Sequence, residues 1–274
     1  MKKIFYILSI LSALTLTSCD LFEMDTFDGP DAQITGRLID SETGENIQVQ
    51  ASSETIFDWG SWPPTSVTVI SGGLTVVELG WDGEAEQNWS VKFNGDYTNN
   101  MVFAGKYRVS SKNLPCFDKE EEITIKEGAN KVDFTYTPYC RIVDEKFSYD
   151  AATKKVKATF KVEPADPELA GQITRVVLCA NTSNFVGTNL NLCANDPGAS
   201  AMNVPAGKVV TLEIDTTLPA NNEQFKYERT HFLRIGALCQ GMGQNTNNSY
   251  NFTPVYTMSR DFSTFAEYDW STAN

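Results

Sequence analysis

Apolar and polar residues alternate with a period of two along most of this chain, and that beat predicts β-strands. Within 131–136, Val132, Phe134 and Tyr136 share one face, while Lys131, Asp133 and Thr135 share the other. This is the pattern of a strand with one side buried. Runs rich in Val, Ile, Thr, Tyr and Phe, punctuated by Gly, Asn and Asp, place further strands at 34–39, 67–70, 74–79, 89–93, 106–109 and 122–125. The beat breaks at Thr137-Pro138 and resumes at 141–149, 156–162, 174–180, 208–214, 231–238 and 255–258. No helical period holds over three turns, and the nearest approaches are short, at 166–171 and 263–268. The stretch 241–251 (GMGQNTNNSYN) has no apolar face and reads as a long exposed loop. The expected architecture is all-β: two consecutive β-sandwich domains, at 33–137 and 138–274, with no internal repeat of about 20–50 residues.

The N-terminal residues break the pattern. Lys2 and Lys3 precede an apolar stretch, residues 4–16, that ends in Leu16-Thr17-Ser18-Cys19. A basic start, a short apolar run and small residues at its end make a secretory signal peptide over residues 1–18. The apolar run is too short to cross a hydrocarbon core of about 30 Å as a helix. With a cysteine at the cut, the segment resembles the lipobox of bacterial lipoproteins. That resemblance implies that the Cys19 sulfur takes a diacylglycerol and that the mature chain begins there. Residues 19–32 carry Asp20, Glu23, Asp25, Asp28 and Asp31 with little periodicity, as a flexible acidic tether would.

Two short patterns further on are more specific than composition. In ITGRLIDSETGENI, residues 34–47, an alternating strand runs into Asp40, and Thr43-Gly44 turns the chain back. In VFAGKYRV, residues 102–109, Gly105 supplies a tight turn, and Tyr107 and Val109 point to one face. Together they resemble the carboxypeptidase-regulatory-like or prealbumin-like sandwich over about residues 33–137. By strand count and length the second half resembles an immunoglobulin or fibronectin-III sandwich. The whole chain resembles a family of unknown function, two-domain outer-membrane lipoproteins of Bacteroidetes. Its members sit beside the transporter and glycan-binding partner of starch-utilisation-like polysaccharide systems. The resemblance implies an outer-membrane, lipid-anchored, surface-exposed protein. In such lipoproteins acidic residues soon after the lipid cysteine mark export to the outer face.

Charge narrows the partners. The chain has 22 basic and 35 acidic residues, a net charge of −13, and loss of Lys2 and Lys3 with the signal makes it −15. Such a surface repels phosphate backbones, which argues against nucleic acid as a partner. Beyond Cys19 five cysteines remain: Cys116, Cys140, Cys179, Cys193 and Cys239. Two readings stand: disulfides, with Cys179–Cys193 and Cys116–Cys140 the first pairs to test, or small buried hydrophobes. No CxxC or Cys/His cluster indicates zinc, and the sequence implies no cofactor.

The candidate chemistry lies in the tryptophans. Trp59, Trp62, Trp81 and Trp89 fall in one window. Indole faces stack on the C–H patches of sugars while nearby carboxylates and amides take the hydroxyls. Pro63 and Pro64 rule out a regular strand, so Trp59 and Trp62 belong to a loop, and Trp81 precedes the turn residues Asp82 and Gly83. These three are the stacking candidates. Asp58 and Asp82 are the leading hydroxyl partners, with Glu84, Asn94 and Asp96 behind them. Trp89 alternates with Val91 and Phe93 and reads as core. The competing reading is that all four fill a small sandwich. His231, the only histidine, reads as structural, and no nucleophile motif accompanies it. Asp82-Gly83-Glu84-Ala85-Glu86 lacks calcium-ligand spacing, and Glu120-Glu121-Glu122 reads as a solvated strand edge.

These features lead to an expected function: a non-catalytic surface lipoprotein that assists polysaccharide capture. It would bind poly- or oligosaccharide or the outer-membrane transporter complex, and reach the membrane through its lipid. The alternative is a docking or adhesin-like module without glycan affinity. A surface hydrolase ranks below both, because carboxylate pairs need not be close in sequence.

Overall fold

The computed structural model describes residues 29–272 except 51–54, 59–64, 69–72, 81–82, 167, 169–171, 241–244 and 246–247, and only the backbone of 55–58 and 65–68. The signal peptide, Cys19 and the tether as far as Asp28 lie outside the described residues. The end of the tether is shorter than expected. Ala32 is buried and already opens the first strand, and the Asp31 carboxylate accepts the Ala104 amide at 2.7 Å.

β1 (Ala32–Asp40) has the alternation its sequence promises, buried at every second residue from Ala32 to Asp40 with Ile39 only half-exposed. It runs antiparallel to β6 (Asp96–Val102) and parallel to β9 (Gly128–Lys131) and β10 (Phe134–Tyr136). The facing sheet has the order β5 (Glu86–Ser90), β4 (Gly73–Leu79), β7 (Gly105–Ser110), β8 (Glu120–Ile125). The Glu120–Glu122 run sits on β8, which pairs with β7 alone. β2 (Thr55–Asp58) and β3 (Thr65–Thr68) pair with each other. Between the two sheets an aromatic layer forms. Trp89, 3% exposed, packs on Tyr97 and Tyr107, and Tyr97 stacks on Phe134. Gly36 makes room for the last parallel strand: a Cβ there would lie 1.6 Å from the Val132 carbonyl, which also accepts the Tyr97 hydroxyl at 2.7 Å. Gly105 has a different role from the one expected. Its φ is not in the left-handed region, and a Cβ would meet nothing closer than 3.7 Å.

The second sandwich packs β11 (Cys140–Asp150), β12 (Lys155–Pro164) and β15 (Val210–Asp215) against a larger sheet. That sheet has the order β14 (Ser200–Val204), β13 (Ile173–Asn181), β16 (His231–Cys239), β18 (Tyr256–Met258), β19 (Phe265–Glu267), with β17 (Asn251–Phe252) also on β16. Its core includes Val156, Phe160, Val176, Leu178, Leu233 and Ile235. Of the short stretch 263–268, where the nearest approach to a helical period lies, residues 265–267 form β19 on the edge of β18. Of 166–171, Asp166 and Glu168 are described and neither is in an α-helix. A short helix α1 (Pro219–Phe225) escaped the sequence reading: Pro219 suits its first turn, and Asn221 and Phe225 are its only buried residues. Within 241–251 the described residues 245 and 248–251 are not all exposed. Asn245 is buried because its side-chain amide donates to the carbonyls of Cys239 and Ser249 and accepts the Ser249 amide. Asn251 is buried in β17.

The two sandwiches are locked together through polar groups. Arg234 on β16 is 0% exposed. Its Nε donates to Thr253 O at 2.9 Å, its Nη1 to Val49 O at 2.9 Å and its Nη2 to Phe93 O at 3.0 Å. The guanidinium also lies over the Phe252 and Phe93 rings, 4.4 and 5.3 Å from their centroids. Burial pushes its pKa down to about 9, so it is still a cation at neutral pH. Asp40, at the end of β1, takes both Nε (2.6 Å) and Nη2 (2.7 Å) of Arg141 on β11. The connection between the sandwiches is itself pinned. Asn251 accepts the Cys140 amide and donates to Pro115 O, and the Tyr139 amide donates to the same carbonyl.

Replacing Arg234 with Ala leaves the carbonyls of Val49 and Thr253 buried without a donor. Urea unfolding should show a loss of at least about 3 kcal/mol, because each orphaned buried group costs about 1–3 kcal/mol. Asp40 gives a pH signature. Burial alone raises its pKa, but Arg141 and the Glu42 amide outweigh that and hold it below the ordinary carboxylate range. Its contribution is therefore complete above the unfolded carboxylate pKa and is lost as pH falls through the lowered folded value. Asp40→Asn should cost about 3 kcal/mol at neutral pH, and the gap to wild type in urea midpoints should close on acidification toward pH values of about 3.

Candidate functional site

A cleft of about 640 Å³ opens where the sandwiches meet. Its walls come from the segment after β1, the turn before β6, the start of β11 and residues 251–270. At its base lies Arg141, its side chain 14% exposed, held by Asp40 and, through Nη1, by Glu42 Oε2 at 2.7 Å. The Asp40 hydrogen bond, then its charge, raises the Arg141 pKa.

One wall depends on an irregularity in β11. Three residue steps from Val143 to Lys146 face two on β12, from Lys161 to Thr159, so β11 carries one extra residue. Asp144 absorbs it with φ +57°. Such a bulge re-aims the side chains beside it, and Val143 and Glu145 both line the cleft. Glu145 Oε1 accepts the Tyr256 hydroxyl at 2.9 Å. Burial first, and this carboxylate next, raise the Tyr256 pKa, so the phenol keeps its proton and donates it. Glu267 is the cross-strand partner of Tyr256 and adds a second carboxylate on the same side.

Trp270 supplies an aromatic wall. It is half-buried, and Tyr268 holds it edge-on, with ring centroids 4.9 Å apart and planes at 87°. Tyr268 is fixed in turn by Phe232 and by the Asn184 side chain. The opposite wall presents amides: Asn46, Gln48 and Asn94. Asn46 donates to Asn94 O and to the Asp96 carboxylate, and Asn94 donates to Asp96 at 2.7 Å. A cleft lined by an indole, carboxylates and amides can offer an apolar contact and accept hydroxyl hydrogens, which is the chemistry of a small polar ligand.

The sequence-based candidates distribute unevenly around this site. Trp59, Trp62, Trp81 and Asp82 lie outside the described residues. Trp59 and Trp62 belong to the segment that joins β2 to β3, and Asp58 ends β2 with only its backbone described. Glu84 pairs with Arg108 at 3.0 Å on the first sandwich's surface. Asn94 reaches the cleft wall, and Trp89 is core. Trp270, Tyr256, Glu145 and Glu267 were missed, because they come together only where β11, bulged at Asp144, meets the β18–β19 pair of the other sheet. His231 is buried, stacks on Phe225 and places Nε2 3.0 Å from Gln224 O; burial lowers its pKa. All five described cysteines are free and buried. Of the two readings of the cysteines, the structure has the buried hydrophobes: neither Cys179–Cys193 nor Cys116–Cys140 is bonded, and the Cys140 thiol meets Cys239 rather than Cys116. Among the described residues no cluster of His, Cys, Asp and Glu has the form of a metal site.

Solved structures share this fold. A Bacteroides uniformis protein, described as a candidate carbohydrate-binding protein, is 28% identical over 84% of this chain and 100% of its own, with a TM-score of 0.69. A DUF3823-family protein from Parabacteroides merdae is 22% identical over 83% of this chain and 98% of its own, with a TM-score of 0.62. A second DUF3823-family protein, from Bacteroides uniformis, is 17% identical over 84% and 99%, with a TM-score of 0.62. No protein-family model matches the chain, and no curated protein matches it. The all-β fold is therefore that of DUF3823-family proteins from Bacteroidetes.

Proposed function

We propose that this protein is a non-catalytic lipoprotein that captures glycan at the outer-membrane surface as an accessory to polysaccharide uptake. The observation that carries the reading is the cleft: a half-buried indole, Trp270, lining the same space of about 640 Å³ as carboxylates and amides. Support comes also from the 28% identical Bacteroides uniformis protein, described as a candidate for carbohydrate binding, which spans nearly the same length. Lipidation at Cys19 would tether the molecule, and the acidic segment behind it would lift the sandwiches from the membrane. On such a tether weak contacts suffice, since avidity with a neighbouring transporter complex multiplies them. Trp59, Trp62 and Trp81, with Asp58 and Asp82, form a second set of candidate contacts on the first sandwich.

The docking reading, without glycan affinity, draws on Met101 and Phe103. Met101, near the end of β6, is 75% exposed and Phe103, in the turn that follows, 42%, and both suit a protein partner.

Intrinsic fluorescence titrated with soluble polysaccharides separates the two. Glycan capture predicts a quench or shift with at least one polysaccharide. In Trp270→Ala the affinity should drop by roughly tenfold, the scale of one aromatic contact. A flat response across a broad panel, together with co-purification of a membrane transporter, would establish docking instead.

A further inference from the structure

We propose that the cleft selects uncharged glycans and turns away those that carry carboxylate or sulfate groups. The inference rests on the glycan-capture reading and gives it a ligand class. Proteins recognise anionic sugars with a free cation, above all the two-pronged fork of an arginine. Among the described residues Arg141 is the one cation lining the cleft. Each of its three nitrogens already donates to a carboxylate, which leaves one N–H on each of Nη1 and Nη2. Nε and Nη2 are taken by Asp40 at 2.6 and 2.7 Å, and Nη1 by Glu42 at 2.7 Å. Two carboxylates thus offset its single charge before any ligand arrives.

The remaining charges in the cleft are all negative: Glu45, Glu145 and Glu267. No cation pairs with them among the described residues, and the Tyr256 hydroxyl is committed to Glu145. Carboxylates accept hydrogen bonds and cannot donate them, so they match sugar hydroxyls and oppose a uronate or a sulfate ester. Trp270, half-buried in the cleft lining and in contact with Tyr268, would supply apolar contact to the C–H side of a pyranose whatever the charge elsewhere on the chain. Stacking supplies attraction and the carboxylates supply discrimination, which is how a site achieves specificity through repulsion as well as contact.

Isothermal titration calorimetry of the full protein tests this with two neutral polysaccharides, a glucan and a mannan, and two anionic ones, a polygalacturonate and a sulfated galactan. At least one neutral polymer should bind at least about tenfold more tightly than either anionic one, the scale expected for several like charges at close range. Raising salt from about 0.05 to about 0.5 M should narrow that gap, because screening removes repulsion and leaves stacking. In Glu45→Gln/Glu267→Gln, both exposed positions, the neutral-to-anionic affinity ratio should fall at least about threefold. Trp270→Ala should weaken neutral binding. Anionic polymers that bind as tightly as neutral ones, or a ratio indifferent to both salt and the double variant, would overturn this inference and leave glycan capture standing. Neutral binding that survives Trp270→Ala undiminished would remove it from the cleft and overturn it too. A panel with no binding at all would overturn both readings.

Discussion

A single buried cation organises this molecule. Arg234 is a full charge in the interior with no carboxylate beside it, an arrangement that is costly unless every donor finds an acceptor. Its partners are carbonyls, and they come from both halves: Val49 and Phe93 from the first sandwich, Thr253 from the second. The charge therefore becomes tolerable only when the halves are docked in one orientation. Apolar contacts alone would permit sliding, whereas three carbonyls arranged to suit one planar fork do not.

The same residues that satisfy Arg234 flank the cleft. Val49 follows Gln48 and Phe93 precedes Asn94, while Phe252 and Thr253 line the space directly. Fixing those carbonyls fixes the chain segments that present the amides of one wall and the base of the other. Asp40 and Arg141 close the same junction at its rim, and Asn251 ties the connection to Pro115. A pre-formed site needs little ordering when ligand arrives, so modest contacts can still give useful affinity.

Much of the fold was legible in the sequence, and the reasons are local. β1 alternates without error from Ala32 to Asp40, and the 131–136 beat appears as β9 and β10 around Val132 and Asp133. Trp89 could be assigned to the core from its alternation with Val91 and Phe93. β6 was invisible because DYTNNMV is largely polar and owes its strand state to pairing with β1. The buried asparagines were hidden for a related reason. Composition marks Asn as a loop residue, but Asn245 and Asn251 replace backbone partners with their side chains and so become interior. The cleft was least legible of all. Glu145 reaches it through a one-residue bulge, and Trp270 follows β19, in a region whose nearest sequence signal was a short helical period. Nothing local to Arg234, in a strand already read as core, signals that its side chain bridges two sandwiches.

The position of the cleft has a consequence for how binding and folding are related. Neither sandwich holds the site by itself: Gln48 and Asn94 lie on one, Glu145, Tyr256 and Trp270 on the other. Residues nearly two hundred positions apart must meet before it exists, as Val49 and Arg234 do. A site carried by one sandwich alone would survive separation of the two. The cleft would not, and its loss would follow the loss of the Arg234 contacts rather than the melting of either core. Stability of the junction and integrity of the cleft are therefore one property here, set by the carbonyls around the Arg234 guanidinium.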